Sequence, residues 1–373
     1  MVATKLSVLL RIIISGGGSG GHIFPAIAIA NQIKEQHPTA EILFVGAKGK
    51  MEMEKVPKAG YKIEGLWISG IQRKLTLANL SFPFKLISSL YNSNKIIRKF
   101  KPDLAIGVGG YASGPLLRAA AAKNIPTLIQ EQNSFPGITN RWLSSKVDKI
   151  CVAYENMERF FPKSKISKTG NPVRMEMVNI AGKRSEALSH FGLSDNMKTV
   201  LVVGGSLGAR TINQALSAHV EEIQSQNIQV IWQTGKFYFN DIQEAMSSKD
   251  LSKVKVTEFI DRMDLAYAAA DVVISRAGAM SISELCLVAK PTILVPSPNV
   301  SEDHQTKNAM ALVNNEAAVL IKDKDLVEEL PTILKKLILN EAGLVKLSKN
   351  ISQMADKSAT EDIVNHALSL VKK

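Results

Sequence analysis

Short runs of apolar, largely β-branched residues recur along the chain, bounded by polar or glycine-rich turns and separated by stretches of helical period. The runs predict strands at Val8–Ser15, Glu41–Gly46, Leu104–Val108, Thr127–Gln130 and Lys149–Ala153. After the turn Gly170-Asn171-Pro172-Val173-Arg174 the pattern restarts, with strands near Thr199–Val203, Val230–Gln233, Val272–Ser275 and Thr292–Val295. Apolar runs without polar alternation read as strands buried on both faces, as in a parallel sheet. Between the first two, Ala26, Ile29, Ala30 and Ile33 share one helical face, and Pro25 sits where the first turn of that helix is expected. Two such series imply an α/β protein of two doubly wound domains facing across a cleft, with the boundary near Pro172.

Three of the predicted strands run into glycine turns: Gly16 to His22, Gly109-Gly110-Tyr111 and Gly204 to Ala209. A fourth stretch, Asp271 to Glu284, reads as strand, small-residue turn at Gly278-Ala279, helix start near Ser281 and an acid one turn in. Unpaired N–H groups and the positive dipole end of such a helix suit a diphosphate, and Glu284 is placed to meet a ribose. Gly16-x-Gly18-x-x-Gly21 also satisfies the dinucleotide fingerprint of nicotinamide-dependent oxidoreductases. That fingerprint wants an acid closing the second strand, and here the strand closes on Gly46-Ala47 while Glu41 precedes it. Asp323-Lys324-Asp325 has the spacing of a metal-binding acid pair, but Asp325 followed by Glu328 reads as an N-cap, so the pair is taken as structural and no metal site is evident.

At 373 residues, 45% hydrophobic and 21% charged, the composition is that of a soluble α/β protein of two or three domains. No apolar run reaches the ~18 residues of a spanning helix, and Cys151 and Cys286, far apart, read as buried thiols of a reducing compartment. Charge is uneven: residues 1–174 carry 25 Lys/Arg against 10 Asp/Glu, a balance of +15, and residues 175–373 carry 21 against 24, a balance of −3. An anionic partner for the first half follows. Basic residues there are not interleaved with aromatic ones as in a nucleic-acid platform, so no nucleic acid is expected. Instead Ile68 to Leu90 combines Phe82 and Phe84 with Arg73, Lys74 and Lys85, and Pro83 is expected to break a continuous helix there. That combination predicts contact with an anionic membrane surface.

Seven segments together resemble the MurG family: GGGSGGHIFP (16–25), GVGGYASGP (107–115), EQNSFPGITN (131–140), GNPVR (170–174), GGSLGAR (204–210), RAGAMSISE (276–284) and DHQTKNA (303–309). Ser19 stands where the family more often has Thr, and the N-terminus is longer by several residues. The resemblance implies a GT-B fold of two Rossmann-like domains, 1–172 and 173–352, with a C-terminal helix at about 353–373 packed back on the first. It implies inverting transfer of N-acetylglucosamine from UDP-GlcNAc to the C4 hydroxyl of the muramoyl sugar of undecaprenyl-diphospho-MurNAc-pentapeptide, without a cofactor. It also implies a peripheral place on the cytoplasmic side of the cell membrane, and leaves room for a cell-wall synthesis complex as partner. By the same resemblance, Ser206, Arg174 and the loop of Ala279, Met280 and Ser281 meet the donor's phosphates, Ile282 and Ser283 belong to the donor site, and Glu284 takes the ribose. The Ile260 backbone reads the uracil, Gln305 faces the sugar, and Asn133 with Ser19, Gly20 and Gly21 complete the donor site.

Inversion by one displacement needs a base for the acceptor hydroxyl and stabilisation of the departing UDP. His22 and Glu131 are the two candidate bases, with Tyr111 and Asn140 positioning the acceptor. A UDP-GlcNAc 2-epimerase and a non-enzymatic nucleotide-sugar-binding module are the alternatives from other classes.

Overall fold

Ile12, Ile13 and Ile14 are all fully buried. Successive side chains of a strand point to opposite faces, so strand β1 (Arg11–Ser15) has to be covered on both sides. The computed structural model, which describes residues 9–70, 81–205, 207–300 and 303–371, shows that it is. Chain contacts divide the protein into residues 1–174 with 357–373, and residues 175–356.

In the first unit β1 lies in one parallel sheet with β2 (Glu41–Ala47), β3 (Lys62–Leu66), β4 (Leu104–Gly107), β5 (Thr127–Glu131), β6 (Lys149–Val152) and β7 (Ile166–Lys168). The order is β3-β2-β1-β4-β5-β6-β7. Helices α1 (Gly20–Gln36), α2 (Glu52–Lys58), α3 (Phe82–Phe100), α4 (Ser113–Ala121) and α5 (Ile138–Leu143) connect the strands. Ile12, Ile14 and Ile106 pack with Ile23, Ile27 and Ala30 of α1, whereas Ile13, Ala105 and Ile129 pack with Leu116 and Leu117 of α4. The helices that follow β1 and β4 therefore lie on opposite faces of the sheet.

The second unit contains β8 (Lys198–Val203), β9 (Ile228–Gln233), β10 (Val254–Thr257), β11 (Val272–Ser275), β12 (Thr292–Leu294) and β13 (Val319–Leu320). They form a parallel sheet in the order β10-β9-β8-β11-β12-β13. Its helices are α6 (Met175–Val178), α7 (Arg184–Phe191), α8 (Arg210–Ser225), α9 (Phe239–Met246), α10 (Met263–Ala269), α11 (Ala279–Val288), α12 (His304–Val313), α13 (Leu326–Ile338) and α14 (Glu341–Gln353). Val200, Val202 and Trp232 meet Ile212 and Leu216 of α8 and Leu330 of α13 in its core.

An aspartate placed just before a strand recurs as a pin at the opposite end of both sheets. Asp103, Asp148 and Asp271 accept the backbone N–H of Arg11, Thr127 and Thr199 on the neighbouring strand, each at 2.8 Å. Both cysteines are buried, and burial pushes each thiol up to about 12.

One expectation about a proline is corrected. Helix α1 begins at Gly20, because the Ser19 carbonyl already accepts the N–H groups of His22 and Ile23 at 3.1 Å, and Pro25 lies in its second turn. Pro83 occupies the first turn of α3, where its missing N–H costs nothing. The side chain of Asp325 makes no cap bond to α13.

From Lys357 the chain returns to the first unit as α15 (Ala359–Ser369). Ile363, Val364 and Ala367 join the cluster built on α1, and Thr360 Oγ1 donates to the Val173 carbonyl at 3.3 Å. Ile363→Ala should therefore remove ~2–5 kcal/mol from the stability of the first unit, read by urea denaturation. A change within about 0.5 kcal/mol would show that α15 is not part of that core.

Candidate functional site

In each sheet the strand order reverses between two central neighbours, β1 and β4 in the first and β8 and β11 in the second. Where the following helices leave to opposite faces, a crevice opens at the carboxyl ends of those strands. The glycine turns lie there.

In the first unit the turns after β1 and β4 touch backbone to backbone. A Cβ on Gly110 would lie 2.3 Å from the Gly17 carbonyl oxygen, and one on Gly109 would lie 2.6 Å from the His22 ring. Both glycines have left-handed backbone, φ +88° and +91°. The His22 Nδ1 is 3.3 Å from Ser19 Oγ. Burial lowers the imidazole below its ordinary value of 6.5, opposed by a hydrogen bond with the Gly17 backbone and by the Glu52 carboxylate. Gly20 and Gly21 head α1, where a helix has no internal acceptor for their N–H groups. Tyr111, about half exposed, lays its ring against Gly18 and Gly70. The Arg174 guanidinium lies 4.5 Å over the ring of Phe24, in α1.

Glu52 was not anticipated from the sequence. It is fully buried, and its two oxygens accept the N–H groups of Ala47 (2.9 Å) and Gly18 (3.0 Å). The acid missing from the end of the second strand is thus supplied five residues later, from α2. It turns inward to the glycine loop and not outward to a ribose. The closing pair Gly46-Ala47 was the available signal: a Cβ on Gly46 would lie 2.5 Å from Glu52 Cγ.

Glu131 and Asn140 are placed otherwise than expected. Both are buried. Glu131 Oε1 accepts from the backbone and side chain of Asn133 (3.0 and 3.1 Å), and Oε2 from Gly137 N–H (3.1 Å) and Asn140 Nδ2 (2.9 Å). Burial raises this carboxyl, outweighing those four donors. A carboxylate enclosed in this way holds the loop from Asn133 to Asn140. Asn140, which also donates to the Gln130 carbonyl at 3.2 Å, belongs to the same interior network.

In the second unit Gly278 caps α11, and the Gly278 carbonyl accepts the Ile282 N–H at 2.9 Å. The amides of Ala279, Met280 and Ser281 head the helix. Ile282 points into the core, and Ser283 Oγ turns back to the Ala279 carbonyl at 3.1 Å. Glu284, half-buried, accepts from Tyr267 Oη at 3.2 Å. The turn before α11 is fixed from behind. Arg276 donates to Val295 O (3.1 Å) and to Asp323, whose other oxygen accepts from Thr211 (2.8 Å), and Asn308 donates to Ala277 O (3.3 Å). Asp323 is therefore engaged within the fold. Among the described residues no group of three His, Cys, Asp or Glu side chains is placed to hold a metal.

Gln233, also not anticipated, ties the turn after β8 to the segment after β10. It donates to Gly205 O (3.1 Å) and accepts the Ile260 N–H (3.2 Å). The Ile260 amide is therefore occupied within the protein. Gln305 Oε1 accepts the Ser297 N–H at 2.9 Å. Ser206, Arg73 and Lys74 lie outside the described residues.

Residues 12–152 match the glycosyltransferase family 28 N-terminal domain, and residues 199–364 its C-terminal domain. A relative from Flavobacterium psychrophilum is 56% identical over 362 residues, covering 97% of this chain and 98% of its own. One from Cytophaga hutchinsonii is 57% identical over 361 residues, covering 97% of each. Both carry the name UDP-N-acetylglucosamine--N-acetylmuramyl-(pentapeptide) pyrophosphoryl-undecaprenol N-acetylglucosamine transferase. The crystal structure of MurG from Acinetobacter baumannii superposes with a TM-score of 0.73 at 27% identity, covering 97% of this chain and all of that one. A UDP-GlcNAc 2-epimerase from Neisseria meningitidis, at 14% identity and a TM-score of 0.66, shares the fold.

Glu131→Ala is expected to lower stability by at least ~2 kcal/mol, since buried donors lose their acceptor. His22→Ala, at a half-buried position, should lower the melting temperature less. Thermal melts of both variants check this, and an unaltered melt for Glu131→Ala would show that its carboxylate does not hold the loop.

Proposed function

The chain belongs to glycosyltransferase family 28 and has its GT-B fold, and from that premise we propose that it transfers N-acetylglucosamine from UDP-GlcNAc to the C4 hydroxyl of a lipid-linked muramoyl-pentapeptide. The observation that carries this reading is the presence of two different heads of sheet, one in each unit. One offers helix amides with a carboxylate one turn on, at Ala279–Glu284, and suits a nucleoside diphosphate. The other offers an imidazole kept neutral by burial, at His22, and suits proton abstraction.

In this scheme the acceptor hydroxyl attacks C1 of the sugar opposite to the departing UDP, which inverts the anomeric centre. The amides of Ala279, Met280 and Ser281, with Arg174 and Ser206, balance the charge that develops on the diphosphate. Glu284, oriented by the Tyr267 hydroxyl, takes the ribose hydroxyls. Gln305 and Asn133 face the sugar, and the Ile260 carbonyl serves the uracil. His22 removes the acceptor proton; Ser19 at Nδ1 orients its ring. Tyr111 borders the acceptor beside the Gly17–Gly18 turn.

The acceptor is a lipid, yet among the described residues no helix is long and apolar enough to cross a membrane. Helix α3 supplies a surface instead. Phe84, Ile87 and Tyr91, at helical spacing, are 70%, 66% and 72% exposed, while Ser89 and Ser93 on the other side are fully buried. Exposed Lys95 and Arg98 continue the same stripe. Phe82 is half-buried, and Lys85 is folded onto Ser69 and the half-exposed Trp67. Large apolar groups stand in solvent along one stripe of the helix, and a basic rim favours anionic lipid. The protein binds the membrane face reversibly through α3 in this reading.

Labelled UDP-GlcNAc incubated with and without a lipid-linked muramoyl acceptor tests the function. Transfer only with acceptor is expected, and consumption without it to give the C2 epimer would replace transfer by epimerisation. Glu284→Ala should raise the KM for UDP-GlcNAc ~10–100-fold, the loss of one charged hydrogen bond. The parent's turnover should fall as pH drops through a midpoint below 6.5, because a lowered histidine stays neutral until more acid is added. A rate that rises on acidification would exclude His22 as the base.

Liposome sedimentation tests the surface. Binding should need anionic lipid, weaken as salt rises, and drop when Phe84, Ile87 and Tyr91 become Ser, with turnover of a soluble acceptor retained. Equal sedimentation of parent and variant would move the contact elsewhere in the basic half.

A further inference from the structure

Glu52 takes no part in the transfer just described, yet it is fully buried against the loop that carries Ser19 to His22. Among the described residues its hydrogen-bond donors are two backbone amides, those of Ala47 and Gly18, and not a lysine or arginine. A carboxyl group buried without a cationic partner is costly to desolvate, and its two amide donors offset that cost only in part. The surroundings are nonetheless shaped around it: a Cβ on Gly17 would lie 2.2 Å from Glu52 Oε1, and one on Gly46 2.5 Å from its Cγ.

The contacts continue from this carboxyl group to the reacting end. Oε2 holds Gly18, and Gly17 is pressed against the position of a Cβ on Gly110. The same turn then gives Ser19, whose carbonyl starts α1 and whose hydroxyl meets Nδ1 of His22. We propose that Glu52 is a positioning residue for the transfer, clamping Gly18 so that the head of α1 and the His22 imidazole are held toward the acceptor. The proposal rests on the reading of His22 as the base. Glu52 is also the charged group that the imidazole senses; Gly17, Ser19 and Gly109, its other neighbours, are neutral.

Glutamine at this position keeps the volume but presents an NH2 where a second acceptor is needed. The test uses the full chain with UDP-GlcNAc and a lipid-linked muramoyl acceptor, comparing E52Q, H22A and the double variant. E52Q should keep the donor KM within ~threefold and lose at least ~30-fold in kcat, with the acid limb of its pH profile moved to lower pH by loss of the neighbouring anion. In the H22A background the same change should cost under ~threefold, because the residue acts through His22. Losses that multiply in the double variant, or a donor KM that rises with kcat unchanged, would overturn the proposal. E52D covers the case in which E52Q does not fold. Its shorter arm keeps the charge but cannot reach both amides, so kcat should fall while the acid limb stays, and an unchanged kcat counts against the clamp. Amide hydrogen exchange of residues 16–22, measured without any substrate, should be faster in the variants than in the parent. Unaltered exchange overturns the clamp whatever the substrate proves to be, whereas a parent with slow exchange and no transfer would count only against the function.

Discussion

A methyl group has no room where the two central turns of the first sheet meet. The Gly17 and Gly110 backbones are in contact, and in the second unit the turns after β8 and β9 make a comparable contact, where a Cβ on Gly208 would lie 2.2 Å from the Thr234 carbonyl oxygen. Close approach of main chain to main chain brings the turns over the ends of the strands and leaves the first helical amides outermost. The remaining features of the first site presuppose it. A side chain at any of these glycines would push the helix heads away from whatever they bind.

Acidic side chains divide into two kinds around this constraint. Glu52, Glu131 and Asp323 face inward, and their oxygens accept from backbone amides, asparagines, threonine or arginine of the fold itself. Glu284 sits half-buried, one turn into α11 and in contact with a tyrosine hydroxyl. The inward acids hold the loops and the remaining one has an outlook to solvent. A carboxylate is suited to the first task because each oxygen accepts more than one donor and so can gather amides from separate segments.

The strands legible in the sequence were the central ones. Ile12 to Ile14, Leu104 to Ile106 and Val272 to Ile274 are buried on both faces, and continuous apolar runs report that condition directly. The four strands not foreseen, β3, β7, β10 and β13, are the four sheet edges. Half-exposed edges carry residues such as Lys62, Glu64 and Lys255, which read as loop. Glu52 was hidden for a related reason. In Met51-Glu52-Met53-Glu54-Lys55 it looks like one more charge on a surface helix, and only the packing distinguishes it from Glu54, which pairs with Lys58 in solvent. The motifs, by contrast, named the turns and helix heads correctly as places, while the inward orientation of Glu131 and Asn140 depended on tertiary contacts that no spacing encodes.

Helix α15 completes the first unit with residues that follow the whole of the second in the chain. During synthesis the apolar cluster built on α1 is made early and lacks Ile363, Val364 and Ala367 until the end of the chain emerges. Through that interval an apolar surface is without its cover while residues 175–356 emerge and fold, a condition that invites premature association. The second unit has no such debt, since its strands and helices are contiguous. It is complete in the chain before the first unit is, although its synthesis starts later.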